Sequence, residues 1–285
     1  MISIDIILLC YNQEQYISQA LNSIFQQIVA EGIKVRVIIS DDASTDKTLE
    51  VIRDMEQQSP YPMTFLPIES NLGISKNYRR SFSAVNADYV AVLEGDDYWS
   101  SPLHLQQHVA FLEEHKNCSM SMNAITYLNE HDGEFDKKNW GYSQCFRFVD
   151  LKEQIEKGNQ LGNLSACVFR SSFLKQLPQK LYDIPIVDWM LGVMMAQYGP
   201  IGVLKESTSV YRVKASGIWA GRSRWRQHLT MLHDAKIYDE FQQGKYHKEW
   251  LQFERNCWRD VRRNWMHYAP AFMQKLCRKL TGDER

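Results

Sequence analysis

Six cysteines are present, and no two of them form a Cys-x-x-Cys pair. Cys10, Cys118, Cys145, Cys167, Cys257 and Cys277 are scattered, which argues against a zinc ribbon or a compact disulfide scaffold. Neither G-x-G-x-x-G nor G-x-x-x-x-G-K-[ST] occurs, so the glycine-rich backbone cradles for dinucleotides and for ATP are both missing. No basic region precedes the first apolar run, and "IDIILLCY" is too short for a signal peptide. The best membrane-span candidate, 184–204, carries Asp188, Gln197 and two prolines and reads as buried core. These absences point to a cytoplasmic chain, in which the Asn163-Leu164-Ser165 glycosylation pattern carries no meaning. There is no internal repeat and no long low-complexity linker.

Net charge is close to zero, at −1 over 285 residues, but it is unevenly spread. Residues 222–285 hold 14 Lys and Arg against 8 Asp and Glu, whereas residues 1–221 hold 19 against 26. That skew suggests an anionic partner for the C-terminal end or a solvated helical face. The length suffices to bury a sizeable core.

Local patterns give the order of elements. "ISIDIILLC" (2–10) is nearly all apolar, as in a strand covered on both faces. Ile17, Leu21, Ile24, Phe25 and Ile28 fall at helical spacing within 13–28. Residues 34–40 predict a second strand, and Ser44 or Thr45 can cap the helix after the "DDASTDKT" loop. Residues 63–68 predict a third strand, 75–85 a helix and 88–94 a fourth strand. Strands alternating with helices imply an α/β fold with a doubly wound, mostly parallel sheet. Further on, the patterns predict a helix at 102–115, an antiparallel strand at 119–128 and a helix at 187–198. A strand is predicted at 208–213. The stretch 130–145 reads as a loop over a site, and 214–223 as a lid. Near the end, Trp250, Phe253, Cys257, Val261, Trp265 and Tyr268 form one helical stripe, with Arg255, Arg259, Arg262 and Arg263 mostly off it.

In open parallel sheets, ligands bind beyond the carboxyl ends of the strands. Three polar clusters occupy such ends here: Tyr11-Asn12, Asp41-Asp42, and Glu94 to Asp97 in "LEGDDYW". A carboxylate rim repels a diphosphate unless a divalent cation stands between them. Mg²⁺ or Mn²⁺ takes one or two protein carboxylates and completes its shell with phosphate oxygens and water. The carboxylates of 94–97 therefore read as a metal site for a nucleoside diphosphate. The competing reading is a charged turn before the helix near Pro102. His104 and His108 have metal-pair spacing, but no third ligand is in view, and a solvated helical face is expected.

The ordered motifs "CYNQEQYISQALNSIFQQ", "SDDASTDKT", "NLGISKNYRRSFSAVNADYVAVLEGDDYW" and "VDWML" resemble those of family 2 glycosyltransferases, inverting enzymes of the Rossmann-like GT-A fold, of the bacterial polysaccharide type. The similarity covers about the first 100 residues and returns at 187–219. The resemblance implies a nucleotide-sugar donor, most often a UDP-sugar, and Mn²⁺ or Mg²⁺ as cofactor. It places Tyr11 and Asp42 on the nucleobase and ribose, Asp96 on the ribose or donor sugar, Asp97 on the metal, and Lys76 within reach of the donor. Asp188 matches the catalytic base, although an N-cap role for it is also open.

Two positions depart from the family pattern. Lys214 stands where relatives often carry a His, and pairs with phosphate better than with a metal. Leu9-Cys10 replaces a common Pro plus small residue. Of the aromatics, Trp99 and Trp219 are candidates for the lid or acceptor wall. Trp99 and Tyr98 are expected to divide between facing a sugar and packing beneath the loop.

The organisation expected is a donor-binding half at 1–100, an acceptor half of the same domain at 101–221 and a helical extension at 222–285. The implied activity is transfer of a sugar to a glycan or polyprenyl-linked oligosaccharide hydroxyl with a β-linkage, in surface polysaccharide synthesis. Rival readings are a sugar-phosphate nucleotidyltransferase and an inactive nucleotide-sugar-binding scaffold. The basic, Trp-rich end fits peripheral contact with the inner face of the cell membrane or a homodimer interface; no nucleic-acid motif accompanies it.

Overall fold

The computed structural model describes residues 1–137, 143–185, 188–214, 217, 219 and 221–264. Its central layer starts with four parallel strands, β1 (Ile2–Cys10), β2 (Ile33–Asp41), β3 (Met63–Phe65) and β4 (Tyr89–Glu94), in the order β3-β2-β1-β4. The helices α1 (Ile17–Phe25), α2 (Thr48–Met55) and α3 (Ile74–Ser83) connect them. β1 is apolar throughout its core because it has a strand on each side and side chains packed on both faces; Ile4, Ile6, Ile7 and Leu8 are buried. Its one charge, Asp5, is matched by Arg36 on β2 through two hydrogen bonds of 2.8 and 2.7 Å. Burial would raise the Asp5 carboxyl, but Arg36 and the N–H groups of Asn86 and Ala87 outweigh it and hold it below the ordinary value.

The second half of the sheet is mixed. It comprises β5 (Tyr98–Trp99), β6 (Met120–Asn129), β7 (Phe135–Lys137), β8 (Phe146–Val149), β9 (Cys167–Arg170) and β10 (Ile201–Val213). Strand β9 runs antiparallel between β4 and β6 and joins the halves. β6 is antiparallel to β9 and β7, as expected from 119–128, but parallel to β10. The helices here are α4 (His104–Glu114), α5 (Leu151–Glu156), α6 (Ser171–Leu174) and α7 (Asp188–Ala196). Residues 184–204 hold α7 and the start of β10; α7 is buried from Trp189 to Ala196. Among the described residues no helix is long and apolar enough to cross a membrane.

The chain divides into two compact units, Met1–Gln154 with Asn159–Val213, and Ile155–Gly158 with Lys214–Arg285. The second contains α8 (Arg224–Phe241) and α9 (His247–Arg263). Trp250, Phe253 and Cys257 of the predicted stripe are buried, and the ring of Trp250 meets Tyr238 at 5.9 Å. Trp265 and Tyr268 lie outside the described residues, as do parts of the 130–145 and 214–223 loops.

Two local expectations are corrected. Neither Ser44 nor Thr45 caps α2; Asp46 Oδ1 accepts the Thr48 N–H at 2.9 Å instead. His104 and His108 do not form a solvated face. Both are fully buried where α4 packs on the sheet. His104 stacks on Trp99 at 4.4 Å, with Nδ1 2.8 Å from Thr208 Oγ1. His108 Nδ1 lies 2.8 Å from Ser121 Oγ, and its Nε2 3.3 Å from Asn123 Oδ1. Hydroxyls of Thr208 and Ser121 and the amide of Asn123, on the strands facing α4, meet three of the four ring nitrogens in the core, which the spacing on α4 could not reveal.

Burial pushes His104 well below the ordinary histidine value and His108 down to about 4. The unfolded chain takes up protons near pH 6.5 and the folded chain resists, so this stability is present above about 6.5 and is lost as pH falls toward 4. A melting series should show wild type losing roughly 1–3 kcal/mol more than His108→Gln between neutral pH and the acid end. Parallel acid profiles for the two proteins would contradict the assignment.

Candidate active site

The rim formed by the carboxyl ends of β1, β2 and β4 is built by adjacent strands in register. Cys10 pairs with Asp41, and Leu9 with Glu94, so the residues that follow emerge side by side. After β4 the backbone turns at Gly95, whose N–H donates to Leu9 O at 2.7 Å. A Cβ at Gly95 would meet Gln13 Oε1 at 2.5 Å and Ile17 Cδ1 at 2.8 Å, so the turn packs tightly onto α1. Glu94, Asp96 and Asp97 then present carboxylate oxygens that all lie within 4.8 Å of one another.

Asp97 is the most firmly held of the three, at 1% exposure. Asn163 Nδ2 and Ser165 Oγ both donate to its Oδ2, the latter at 2.7 Å, and the Arg212 N–H donates to Oδ1 at 2.9 Å. Even so, burial and the nearby charge of Asp96 push the Asp97 carboxyl up to about 8. Glu94 is raised well above the ordinary value by burial and then by the charges of Asp188, Asp97 and Asp96. The Tyr78 hydroxyl donates to Glu94 at 3.0 Å and offsets part of this. Asp188 opens α7 within the same electrostatic cluster. Burial raises it to about 6, against its own backbone N–H and the side chain of Asn159, which favour the ionised form. The structure thus brings Glu94, Asp96, Asp97 and Asp188 together.

The other sequence-selected residues surround that cluster or lie apart from it. Tyr11 stands at the end of β1, 47% exposed. Asp42 is buried and accepts the Leu72 and Gly73 N–H groups at 2.9 Å each, so its carboxylate straps the turn before α3 to the rim. Lys76 is exposed on the first turn of α3 and lines a cleft of about 450 Å³ with Leu72, Ser75, Tyr182 and Pro185. Lys214 and Trp219 belong to the second compact unit, where Trp219 is exposed.

Trp99 requires a correction as an acceptor-wall candidate. It is 4% exposed, its Nε1 donates to Ser165 O at 2.8 Å, and it lies beneath the acidic loop. Half-buried Tyr98 takes the outward side, with the Arg212 guanidinium 6.0 Å from its ring.

Sequence reasoning missed three supports. Asn163 and Ser165 attracted notice only as a glycosylation pattern, yet both donate to Asp97. Arg212 passed unremarked. Its Nε donates to Asp96 O at 2.9 Å, its Nη2 to Gln19 at 2.7 Å, and its guanidinium lies 4.6 Å above the Tyr16 ring. Only its place two residues before Lys214, within the 187–219 stretch where the family resemblance returns, hints at it.

Chemically, clustered carboxylates driven toward protonation by burial and mutual repulsion form a hard-oxygen donor set. They suit Mg²⁺ or Mn²⁺, which would hold them ionised, and the site fits such an ion.

The sequence model of glycosyl transferase family 2 matches residues 5–176, more than half of the chain, and the chain belongs to that family. Asp188 and Arg212 lie beyond the matched span. An uncharacterized protein of Mycobacterium tuberculosis is 34% identical over 220 residues, 75% of this chain and 60% of the relative. The chain therefore spans about three fifths of the length of that relative. Among solved structures, Staphylococcus aureus TarS 1–349 in complex with UDP-GlcNAc superposes with a TM-score of 0.60 at 20% identity, over 82% of this chain and 65% of that one. The mannosyltransferase PcManGT from Pyrobaculum calidifontis, in complex with GDP-Man and Mn²⁺, gives 0.57 at 17% identity, over 82% and 64%. The fold is GT-A, an α/β architecture with a curled, mostly parallel sheet.

Asn163→Ala removes a buried donor to Asp97 and should cost about 0.5–1.5 kcal/mol in chemical denaturation. A change below about 0.5 kcal/mol would show that Asp97 does not depend on it.

Proposed function

We propose that the chain is a metal-dependent inverting glycosyltransferase. It moves a sugar from a UDP-sugar, or a related nucleotide-sugar, to a hydroxyl of a glycan or polyprenyl-linked oligosaccharide in surface polysaccharide synthesis. The observation that carries this reading is the joint placement of Glu94, Asp96 and Asp97, oxygens within 4.8 Å, with Asp188 in the same electrostatic cluster. Family membership supports it, as do structural neighbours solved in complex with UDP-GlcNAc, and with GDP-Man and Mn²⁺.

The side chains divide the work as follows. Asp96 and Asp97, with Glu94, would hold Mn²⁺ or Mg²⁺, and Asn163, Ser165 and the Arg212 N–H fix the aim of Asp97. When bound, the cation supplies positive charge against the negative charge that develops on the leaving diphosphate. Tyr11 and the strap held by Asp42 form the nucleoside side, and Lys76 supplies a cationic contact to the donor.

Asp188 acts as general base. Its carboxylate accepts the proton of the acceptor hydroxyl while that oxygen bonds to the anomeric carbon from the face opposite the diphosphate. The bond from the anomeric carbon to the diphosphate oxygen breaks, and its electron pair leaves with the nucleotide. A single displacement inverts the configuration, so an α-linked donor gives a β-linked product. Burial lifts Asp188 to about 6, which makes it a better base than an exposed aspartate while leaving it ionised at neutral pH.

Asp188→Asn should lower transfer by roughly 10²–10⁴-fold while UDP still binds in calorimetry. Because the base must be ionised, wild-type kcat/KM should fall as pH drops through about 6. Assays that follow nucleotide release together with sugar transfer to lipid-linked acceptors would check both. Wild-type turnover in the variant, or pyrophosphate as the released product, would overturn the reading.

A further inference from the structure

The helical hairpin of the second unit leaves three large apolar side chains in solvent at one end. Trp225 and Leu229 on α8 are 38% and 43% exposed, and Trp258 on α9 is 43% exposed. The helices run antiparallel, as their contacts show. Trp225 meets Trp258 edge-to-face at 6.4 Å, His228 Nε2 lies 3.1 Å from Cys257 O, and Tyr238 meets Trp250 at 5.9 Å. The exposed cluster therefore sits away from the 242–246 turn, where α8 begins and α9 ends. An exposed apolar cluster of this kind calls for a covering partner.

Charge identifies the chemistry of that partner. The same end carries Arg222, Arg224, Arg226, Arg255, Arg259, Arg262 and Arg263, all exposed, against Glu254 and Asp260. At the turn end, Lys236, Lys245 and Lys248 are balanced by Asp239, Glu240 and Glu249. Cationic excess and exposed indoles thus coincide on one end of the hairpin.

We propose that this end of the hairpin docks on an anionic lipid bilayer. Trp225, Leu229 and Trp258 enter the boundary between headgroups and acyl chains, and Arg222, Arg226, Arg255 and Arg262 lie at the level of the lipid phosphates. Indole rings favour that boundary, and arginine keeps its guanidinium in the polar layer while its stem packs against apolar groups. A second copy of the chain is the weaker partner. A two-fold axis through the patch would set arginines against arginines, with few carboxylates to neutralise them. An anionic bilayer removes that repulsion.

Vesicle flotation of the full chain tests this. Vesicles of phosphatidylcholine alone are compared with vesicles containing about one third phosphatidylglycerol, at low and high salt. The expected result is flotation with the anionic vesicles only, weakened by salt. Arg255→Gln with Arg262→Gln should lower partitioning by roughly tenfold or more, and Leu229→Ser with Trp258→Ser comparably. All four positions are exposed, so melting should be unchanged; should the Leu229/Trp258 variant melt early, the arginine pair decides. Flotation that ignores lipid charge, no flotation, or flotation unchanged in the variants overturns the proposal. A dimer seen by light scattering and abolished by Trp258→Ser overturns it in favour of a second copy. No residue of this patch belongs to the acidic cluster, so a negative result leaves the proposed reaction standing.

Discussion

Repulsion among carboxylates crowded at the end of β4 is the constraint around which the rest of the site is arranged. Glu94, Asp96 and Asp97 occupy four consecutive positions with Gly95 and share their surroundings with Asp188; Asp97 is buried, and Glu94 and Asp96 are only partly open to water. An isolated loop of this kind would splay. Here it is pinned from both sides: Gly95 donates to Leu9 on β1, and Asp97 takes donors from Asn163, Ser165 and Arg212. The cost remains visible in Glu94 and Asp97, whose carboxyls are pushed upward despite those donors. This crowding costs fold stability, and under the proposed function a bound cation would relieve it.

The neighbouring loops are locked to one another as well. Asn12, in a left-handed conformation at φ 51°, donates its N–H to Ser44 Oγ and accepts from the Thr45 N–H. Ala43 is also left-handed, at φ 62°, where a Cβ is disfavoured by roughly 1–2 kcal/mol. Asp41 and Asp42 hold this strained turn from each side, through Ser44 and through the Leu72 and Gly73 amides. The ends of β1 and β2 therefore form a preset wall beside the acidic loop, an arrangement suited to a ligand that must be oriented as well as bound.

How much of this was legible depended on sequence distance. The parallel half of the sheet writes itself locally: apolar runs for β1, β2 and β4, helical spacing for α1, and polar residues where each strand stops. That was enough to place Tyr11, Asp42 and Glu94–Asp97 on one rim. The supports of Asp97 come from 66, 68 and 115 residues away, on segments that the antiparallel β9 and the long β10 carry back across the sheet. Nothing in the local pattern around Asn163 or Arg212 announces a partner. His104 and His108 are the converse case: polar side chains on a helix read locally as solvated, whereas Thr208, Ser121 and Asn123 on the facing strands let them be buried. Trp99 was half anticipated: one of two adjacent aromatics had to lie beneath the loop, and burial with a bond to Ser165 O selects it.

If the crowded carboxylates exist to hold a cation against a diphosphate, the two ligands must bind as a pair. Electron paramagnetic resonance of Mn²⁺ titrated into the protein measures this directly, because the signal of hexaaquo Mn²⁺ broadens on coordination. With UDP held below saturation, adding the protein should lower the free-ion signal well beyond the loss that UDP alone causes in buffer, protein alone should lower it little, and Asp96→Asn should return it to the UDP-only level. A signal that is the same with and without the protein at sub-saturating UDP would contradict it.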